Sequence, residues 1–118
     1  MDIKKKTYTD GSKTSEGVGC SFIQGNEKRS FSLPSYASVF TPELIAILKA
    51  LFFIEVTDGD EPHVIFSNSL SSLMSLKAYN PSSPLIQDIL MHLDGLHRDG
   101  RTLRLCWIPS HVGIVGKD

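Results

Sequence analysis

The spacing of apolar residues changes along this chain, and that change constrains the fold more than any other feature. Three strand-like segments come first, at residues 6–10, 17–23 and 28–33. Asp-Gly-Ser closes the first segment and Gly25-Asn26 follows the second, so short turns and an antiparallel meander are predicted. From position 44 onward the apolar residues recur at helical spacing instead. The chain therefore begins as strands and continues with helices.

The first helix is predicted to begin just before Leu44. Pro42 must lie in its first turn, because deeper in the helix its ring would clash and remove a hydrogen bond. Ser38 or Thr41 is then the candidate N-cap. The period changes again at residues 63–66, a short apolar run after Pro62 that indicates a buried strand.

Two more helices and a last strand follow. The second helix is predicted from the spacing of Leu70, Leu73, Met74 and Lys77. The third begins at Pro84 and stops at Gly100, with one apolar face made of Leu85, Ile86, Ile89, Leu90, Leu93 and Leu96. Residues 102–108 alternate as a strand, in which Trp107 is expected to be core. The predicted order is β-β-β-α-β-α-α-β, an α/β fold with a mixed five-stranded sheet and helices packed on it.

Length and composition limit the remaining possibilities. The chain of 118 residues has room for one domain, so residues 1–118 are assigned to a single unit. Its net charge of -1 excludes a bulk cationic field, and any nucleic-acid partner needs a local patch. No apolar run suits a membrane span or a secretory signal, so no membrane partner and an intracellular compartment are expected. Cys20 and Cys106 are predicted to be buried free thiols.

Polar residues that could carry chemistry fall at the ends of predicted elements. Asp10 ends the first strand, Glu43 opens the first helix, Asn68 follows the fourth strand and His111 follows the last. Ligands of open α/β sheets gather at strand ends where the strand order reverses. If strands one and four are neighbours, these side chains lie together at one edge of the sheet.

Each of these residues also has an ordinary explanation. Asp10 is a common turn former, Glu43 would complement a helix dipole, and Asn68 between two serines would be a natural N-cap. His111 would then be a plain loop histidine. The run of lysines at positions 4–6 would be a solvated chain end.

Five phrases in fixed order carry more information than any single residue. They are Tyr-Thr-Asp-Gly-Ser at 8–12, Gly-Val-Gly-Cys-Ser-Phe at 17–22, Thr-Pro-Glu-Leu at 41–44, Phe-Ser-Asn-Ser at 66–69 and Trp-Ile-Pro-Ser-His-Val-Gly-Ile at 107–114. Together they closely resemble the type 1 ribonuclease H domain of non-LTR retrotransposon polyproteins, over nearly the whole chain. The resemblance implies a ribonuclease H-like fold, and a place in a longer reverse transcriptase polyprotein.

The resemblance also implies an activity and its residues. In that family four carboxylates hold two Mg²⁺ ions, with Mn²⁺ as a substitute, and water attacks the RNA strand of an RNA/DNA hybrid. Asp10 matches the first carboxylate and Glu43 the second, which also reaches the 2′-OH of RNA. Gly11 and Ser12 match the turn that approaches the RNA backbone. His111 matches a mobile histidine that shuttles a proton or assists product release.

This chain departs from the family's pattern at two places. The third carboxylate position holds Asn68, whose amide oxygen can contact a metal but brings no negative charge. The family's Gly-Asn-Glu-x-x-Asp tail aligns at residues 116–118, so the fourth catalytic Asp and the C-terminal helix are expected to be missing. Asp118 aligns with the Glu of that tail and would replace the missing ligand poorly.

Three functions therefore remain open at the level of sequence. The first is a metal-dependent hybrid endonuclease with weak metal binding and impaired hydrolysis. The second is an inactive nucleic-acid-binding remnant of a retroelement, which Asn68 and the shortened tail favour. The third is a structural or protein-interaction module on the same fold.

Overall fold

Five strands and three helices follow one another in the described part of the chain, in the order that the sequence predicts. The structure is a computed structural model, and it describes residues 5–34, 41–57, 59, 61–78 and 83–109. The elements are β1 (Lys5–Thr14), β2 (Gly17–Gln24), β3 (Glu27–Leu33), α1 (Thr41–Val56), β4 (His63–Ser67), α2 (Leu70–Ala78), α3 (Pro84–Arg98) and β5 (Leu103–Trp107).

The strands form one mixed sheet with β1 at its centre. The strand order is β3-β2-β1-β4-β5. The first three strands pair antiparallel, whereas β1 pairs with β4, and β4 with β5, in parallel. The predicted mixed five-stranded sheet is therefore confirmed, as is the expectation that strands one and four are neighbours. The last pair of the β1–β4 ladder is Thr9 with Ser67.

The helices pack against one side of this sheet and bury the core there. α1 contributes Leu44, Ile47, Leu51 and Ile54, which are fully buried and recur every three or four residues. Burying each such side chain contributes roughly 1.5–3 kcal/mol, so α1 is held by its packing. The buried cluster continues through α2 and α3, with Leu76, Ile86, Ile89 and Leu96. None of the described helices is long and apolar enough to cross a membrane.

The predicted signals at the helix ends are confirmed for α1 and α3. Pro42 lies in the first turn of α1, as the sequence requires. Pro84 opens α3, and the Ser83 side chain caps it by accepting the Ile86 N–H at 3.4 Å. Gly100 follows the helix with a φ of 79°, in the left-handed region that favours glycine. The candidate N-cap Ser38 lies outside the described residues.

The expectation that Asp10 ends the first strand is wrong. β1 continues to Thr14, and Asp10 pairs with Ser21 of β2 in the middle of the ladder. Asp-Gly-Ser is therefore extended backbone, and the turn lies after Thr14. What does end at Thr9 is the parallel ladder with β4, so β1 runs on past the end of its other neighbour.

Two predictions of burial on the last strand are also wrong. Trp107 is 48% exposed and is not core. It closes β5, which is the last strand of the sheet among the described residues and pairs there with β4 alone, and its neighbour in register is Ser67. On the same strand Cys106 is half-buried, whereas Cys20 of the interior strand β2 is buried as predicted.

Candidate functional site

A hydrogen bond joins the first helix to the central strand β1, at the end of the sheet where the parallel ladder with β4 stops. We call this end the site edge. The backbone N–H of Gly11 donates to Oε1 of Glu43 at 3.0 Å. Gly11 lies just beyond the last pair of the β1–β4 ladder, so a carboxylate from the first turn of α1 accepts a strand N–H there. This bond holds the half-buried Glu43 side chain beside the backbone that carries Asp10.

The absence of a side chain at Gly11 makes this close approach possible. A Cβ atom there would lie 2.6 Å from the backbone N of Glu43 and 2.7 Å from the carbonyl carbon of Pro42. Both are backbone atoms of the first helical turn and cannot move without the helix. The glycine that the sequence associates with a turn is required here because α1 begins directly against the strand.

Asp10 and Asn68 each lie one position beyond the end of the β1–β4 ladder. Thr9 of β1 and Ser67 of β4 are paired in parallel register, and Asp10 and Asn68 are the residues that directly follow them. Both side chains are half-buried. Because Glu43 is bonded to Gly11, the backbone at Asp10, the Glu43 carboxylate and the backbone at Asn68 lie at the same end of the sheet. That the three side chains converge on one spot stays a prediction.

Asn68 does not cap the helix that follows it, so its ordinary explanation is wrong. The cap is Ser69, whose Oγ accepts the N–H of Ser72 at 3.3 Å and donates to the Ser72 hydroxyl at 2.7 Å. Ser67 is buried, and its Oγ accepts the N–H of Ser69 at 3.1 Å. The flanking serines thus make the local hydrogen bonds, and Asn68 stands between them without a capping role.

Of the two remaining predicted site residues, the structure describes Ser12 and does not describe His111. Ser12 lies in β1 directly after Gly11 and is exposed, opposite Gly19 of β2. His111 lies outside the described residues, so its predicted role is untested. The same holds for the aligned tail at residues 116–118.

The pKa of the Cys20 thiol responds to the charged groups near Gly11 on the helix-packed side of the sheet. Cys20 pairs with Gly11 across the β1–β2 ladder. Burial raises the pKa of the Cys20 thiol, the Lys49 ammonium opposes that rise, and the Glu43 carboxylate adds to it. Cys20 is therefore a neutral buried thiol, and the charge of the Glu43 carboxylate helps to keep it neutral.

The donor atoms at this edge suit a hard divalent cation. Carboxylate oxygens of Asp10 and Glu43 and the amide oxygen of Asn68 are the kind of ligands that Mg²⁺ takes in proteins. Within the described ranges, no group of three or more His, Cys, Asp or Glu is arranged to hold a metal ion. With Asn68 in the third position the site offers two negative charges, which balance one divalent ion.

An aromatic pair beside the site was not singled out by the sequence. Tyr8 and Phe66 precede the last β1–β4 pair, and their rings stack with centroids 5.1 Å apart. The alternation of residues 6–10 indicates which residues share a face. It does not reveal that β4 brings Phe66 alongside, because that depends on the parallel pairing.

Comparison with known proteins adds no family assignment. The chain matches no protein-family model, and a search of curated proteins gives no match.

Proposed function

We propose that this chain is a ribonuclease H-like domain that binds RNA/DNA hybrids and hydrolyses the RNA strand at a reduced rate. The observation that carries the proposal is the Gly11–Glu43 hydrogen bond of 3.0 Å, which holds a helix carboxylate beside Asp10. The five ordered sequence motifs and the β-β-β-α-β-α-α-β order support the same assignment. Placement within a retrotransposon reverse transcriptase polyprotein follows from the same resemblance.

Each residue at the edge has a defined part in this proposal. Asp10 and Glu43 would hold Mg²⁺ or Mn²⁺ through carboxylate oxygens, and Asn68 would add a neutral oxygen. When bound, such an ion supplies Lewis-acid chemistry that activates water and stabilises charge on the phosphate. Glu43 also accepts from the 2′-OH that distinguishes RNA from DNA. Gly11 and Ser12 lie along the RNA backbone.

The amide at position 68 sets the expected rate. Replacing a carboxylate by an amide removes one negative charge that would attract the cation. Each 1.36 kcal/mol of lost transition-state stabilisation lowers the rate about tenfold. We therefore expect hydrolysis several orders of magnitude below that of a domain with all its carboxylates.

The second candidate is a nucleic-acid-binding remnant without hydrolysis. Asn68 favours it, because two carboxylates hold one divalent ion where the two-metal mechanism needs a more negative site. The two candidates share the fold and the hybrid partner. They differ in whether restoring a carboxylate restores cleavage.

The test compares cleavage of a labelled RNA/DNA hybrid in Mg²⁺ or Mn²⁺ by the natural chain and three variants, Asn68→Asp, Asn26→Asp and Asp10→Asn. Asn68→Asp is expected to raise the rate at least tenfold. Asn26→Asp, which makes the same change in the exposed β2–β3 turn, is the matched control and leaves the rate unchanged. Hybrid binding with no cleavage by any form would favour the remnant. Cleavage that survives Asp10→Asn would contradict both candidates.

A further inference from the structure

One side of the sheet carries no helix among the described elements. The strand residues of the helix-packed core are Phe22, Phe31, Ile65, Leu103 and Leu105. In register these positions share one side, and the alternate positions point to the other. We call that other side the bare face. Its central row consists, in register order, of Lys28, Ile23, Tyr8, Phe66 and Cys106.

The middle of the bare face is aromatic and half-buried. The rings of Tyr8 and Phe66 stack on neighbouring strands, with centroids 5.1 Å apart and planes inclined by 21°. Ile23 and Cys106 extend the apolar row on both sides and are half-buried as well. Tyr8 lies two residues before Asp10 in β1, on the same face, so the row lies next to the candidate site.

The border of the bare face is cationic. Lys6 and Arg104 lie on either side of Val64 in the adjoining row, and Lys28 closes the aromatic row. All three are exposed, and none forms an ion pair with a described residue. Among the described strand residues of this face, Asp10 is the one acid.

The acids of the helical layer are arranged differently. Asp94 pairs with Arg98 at 2.9 Å, and Glu55 and Asp88 both face His92. The bare face therefore carries three exposed cations and one acid among its described strand residues, whereas the described side chains of His92 and Arg98 lie beside the acids of the helical layer. A second copy of the chain placed there would bring like charges together, whereas a polyanion would complement them.

We propose that the bare face binds a single strand of nucleic acid. Surfaces of this kind combine cations that follow the phosphate backbone with aromatic rings that contact the bases. The cations for the phosphates are Lys6, Lys28 and Arg104, and the rings for the bases are Tyr8 and Phe66. The proposal goes beyond the proposed hydrolysis and does not depend on it, because no metal or carboxylate takes part.

The test is a fluorescence-anisotropy titration with a short labelled oligouridine, in EDTA so that the metal site plays no part. Three phosphate contacts predict an affinity that falls by about twentyfold between 50 and 200 mM salt. Arg104→Glu and Tyr8→Leu are each expected to weaken binding about tenfold. Arg98→Glu, the same reversal on the exposed end of α3, leaves the affinity unchanged. Tyr8→Leu keeps an apolar side chain on the strand, and circular dichroism checks that each variant is folded.

Selectivity separates this surface from a general cationic patch. Oligouridine is expected to bind more tightly than duplex DNA or heparin of similar charge, and Tyr8→Leu should remove that preference. Equal affinities of the natural chain and both variants would overturn the proposal. So would equal binding of heparin, or Arg104-dependent binding to anionic lipid vesicles without binding of oligouridine.

Discussion

At the scale of single residues, the contact between Gly11 and Glu43 decides how the candidate site is built. The strand N–H and the helix carboxylate are bonded at 3.0 Å, and no Cβ fits between the two backbones. The same glycine therefore determines the position of the helix and the position of the carboxylate. A residue that only shaped a turn would not couple these two features.

Gly11→Ala is expected to lower the free energy of unfolding by about 1–3 kcal/mol, the usual cost of overpacking. The reason is that the new Cβ would meet backbone atoms of Pro42 and Glu43. The measurement is urea denaturation. Gly95→Ala is the matched control, because its Cβ would meet nothing within 4 Å, and in a helix it should raise the free energy by about 0.5–1 kcal/mol. Equal effects of the two variants would contradict the described approach of α1.

His63, at the other end of the central strands, makes stability depend on pH. It begins β4, is 3% exposed, and its Nδ1 has no hydrogen-bond partner among the described residues. Burial lowers the pKa of His63, the charges of Arg101 and Lys5 lower it further, and Glu61 partly opposes them. The unfolded chain therefore binds a proton at higher pH than the folded chain does.

The contribution of His63 to the free energy of unfolding is expected to be constant above the ordinary histidine pKa of about 6.5 and to fall as the pH drops below it. The fall levels off below the lowered pKa of the folded state, where both states are protonated. Urea denaturation at a series of pH values measures this. His63→Gln should flatten the dependence, whereas His97→Gln, an exposed histidine of α3, should leave it in place. An unchanged slope in His63→Gln would show that another group is responsible.

At the scale of elements, the start of α2 distinguishes a capping residue from a site residue. Ser69→Ala is expected to lower the free energy of unfolding by about 1 kcal/mol, because it removes the acceptor of the Ser72 N–H. Asn68→Ala should cost less than about 0.5 kcal/mol, as for a position without such a feature. Thermal denaturation of both variants measures the difference. A larger loss of unfolding free energy in Asn68→Ala than in Ser69→Ala would show that Asn68 stabilises the start of α2.

The order of the elements could be predicted from periodicity, and the points of failure have physical causes. The meander, the helices and the signals at Pro42 and Gly100 are local, so the sequence reveals them. Asp10 was expected at a strand end because Asp-Gly-Ser is typical of turns, yet pairing with β2 keeps that segment extended. Trp107 was expected in the core because it alternates with leucines, yet β5 is the last strand of the sheet among the described residues.

Part of the candidate site could likewise be predicted from local sequence, and part depends on contacts between distant segments. The residue types and their places after strand or helix boundaries could be read from the sequence. The bond from Gly11 to Glu43 depends on a contact across 32 positions of the chain, which no local pattern encodes. The choice of Ser69 over Asn68 as the cap depends on hydrogen bonds that either residue could have made.

At the scale of the whole molecule, the two sides of the sheet are built differently. One side is covered by helices and holds the buried core, and the bare face carries the aromatic pair and three exposed cations. The proposed hybrid site lies at the edge where these two sides meet. Asp10 continues the rows of the bare face, and Glu43 comes from the helical layer.

This arrangement predicts where a divalent ion binds, and paramagnetic broadening of amide resonances by Mn²⁺ measures it directly. Trace Mn²⁺ should broaden Gly11, Ser12 and Asn68 first, and Asn68→Asp should produce the same broadening at a lower concentration. Broadening that begins instead around His92, which contacts Glu55 and Asp88, with Gly11 and Asn68 unaffected, would contradict the convergence of Asp10, Glu43 and Asn68 on one ion.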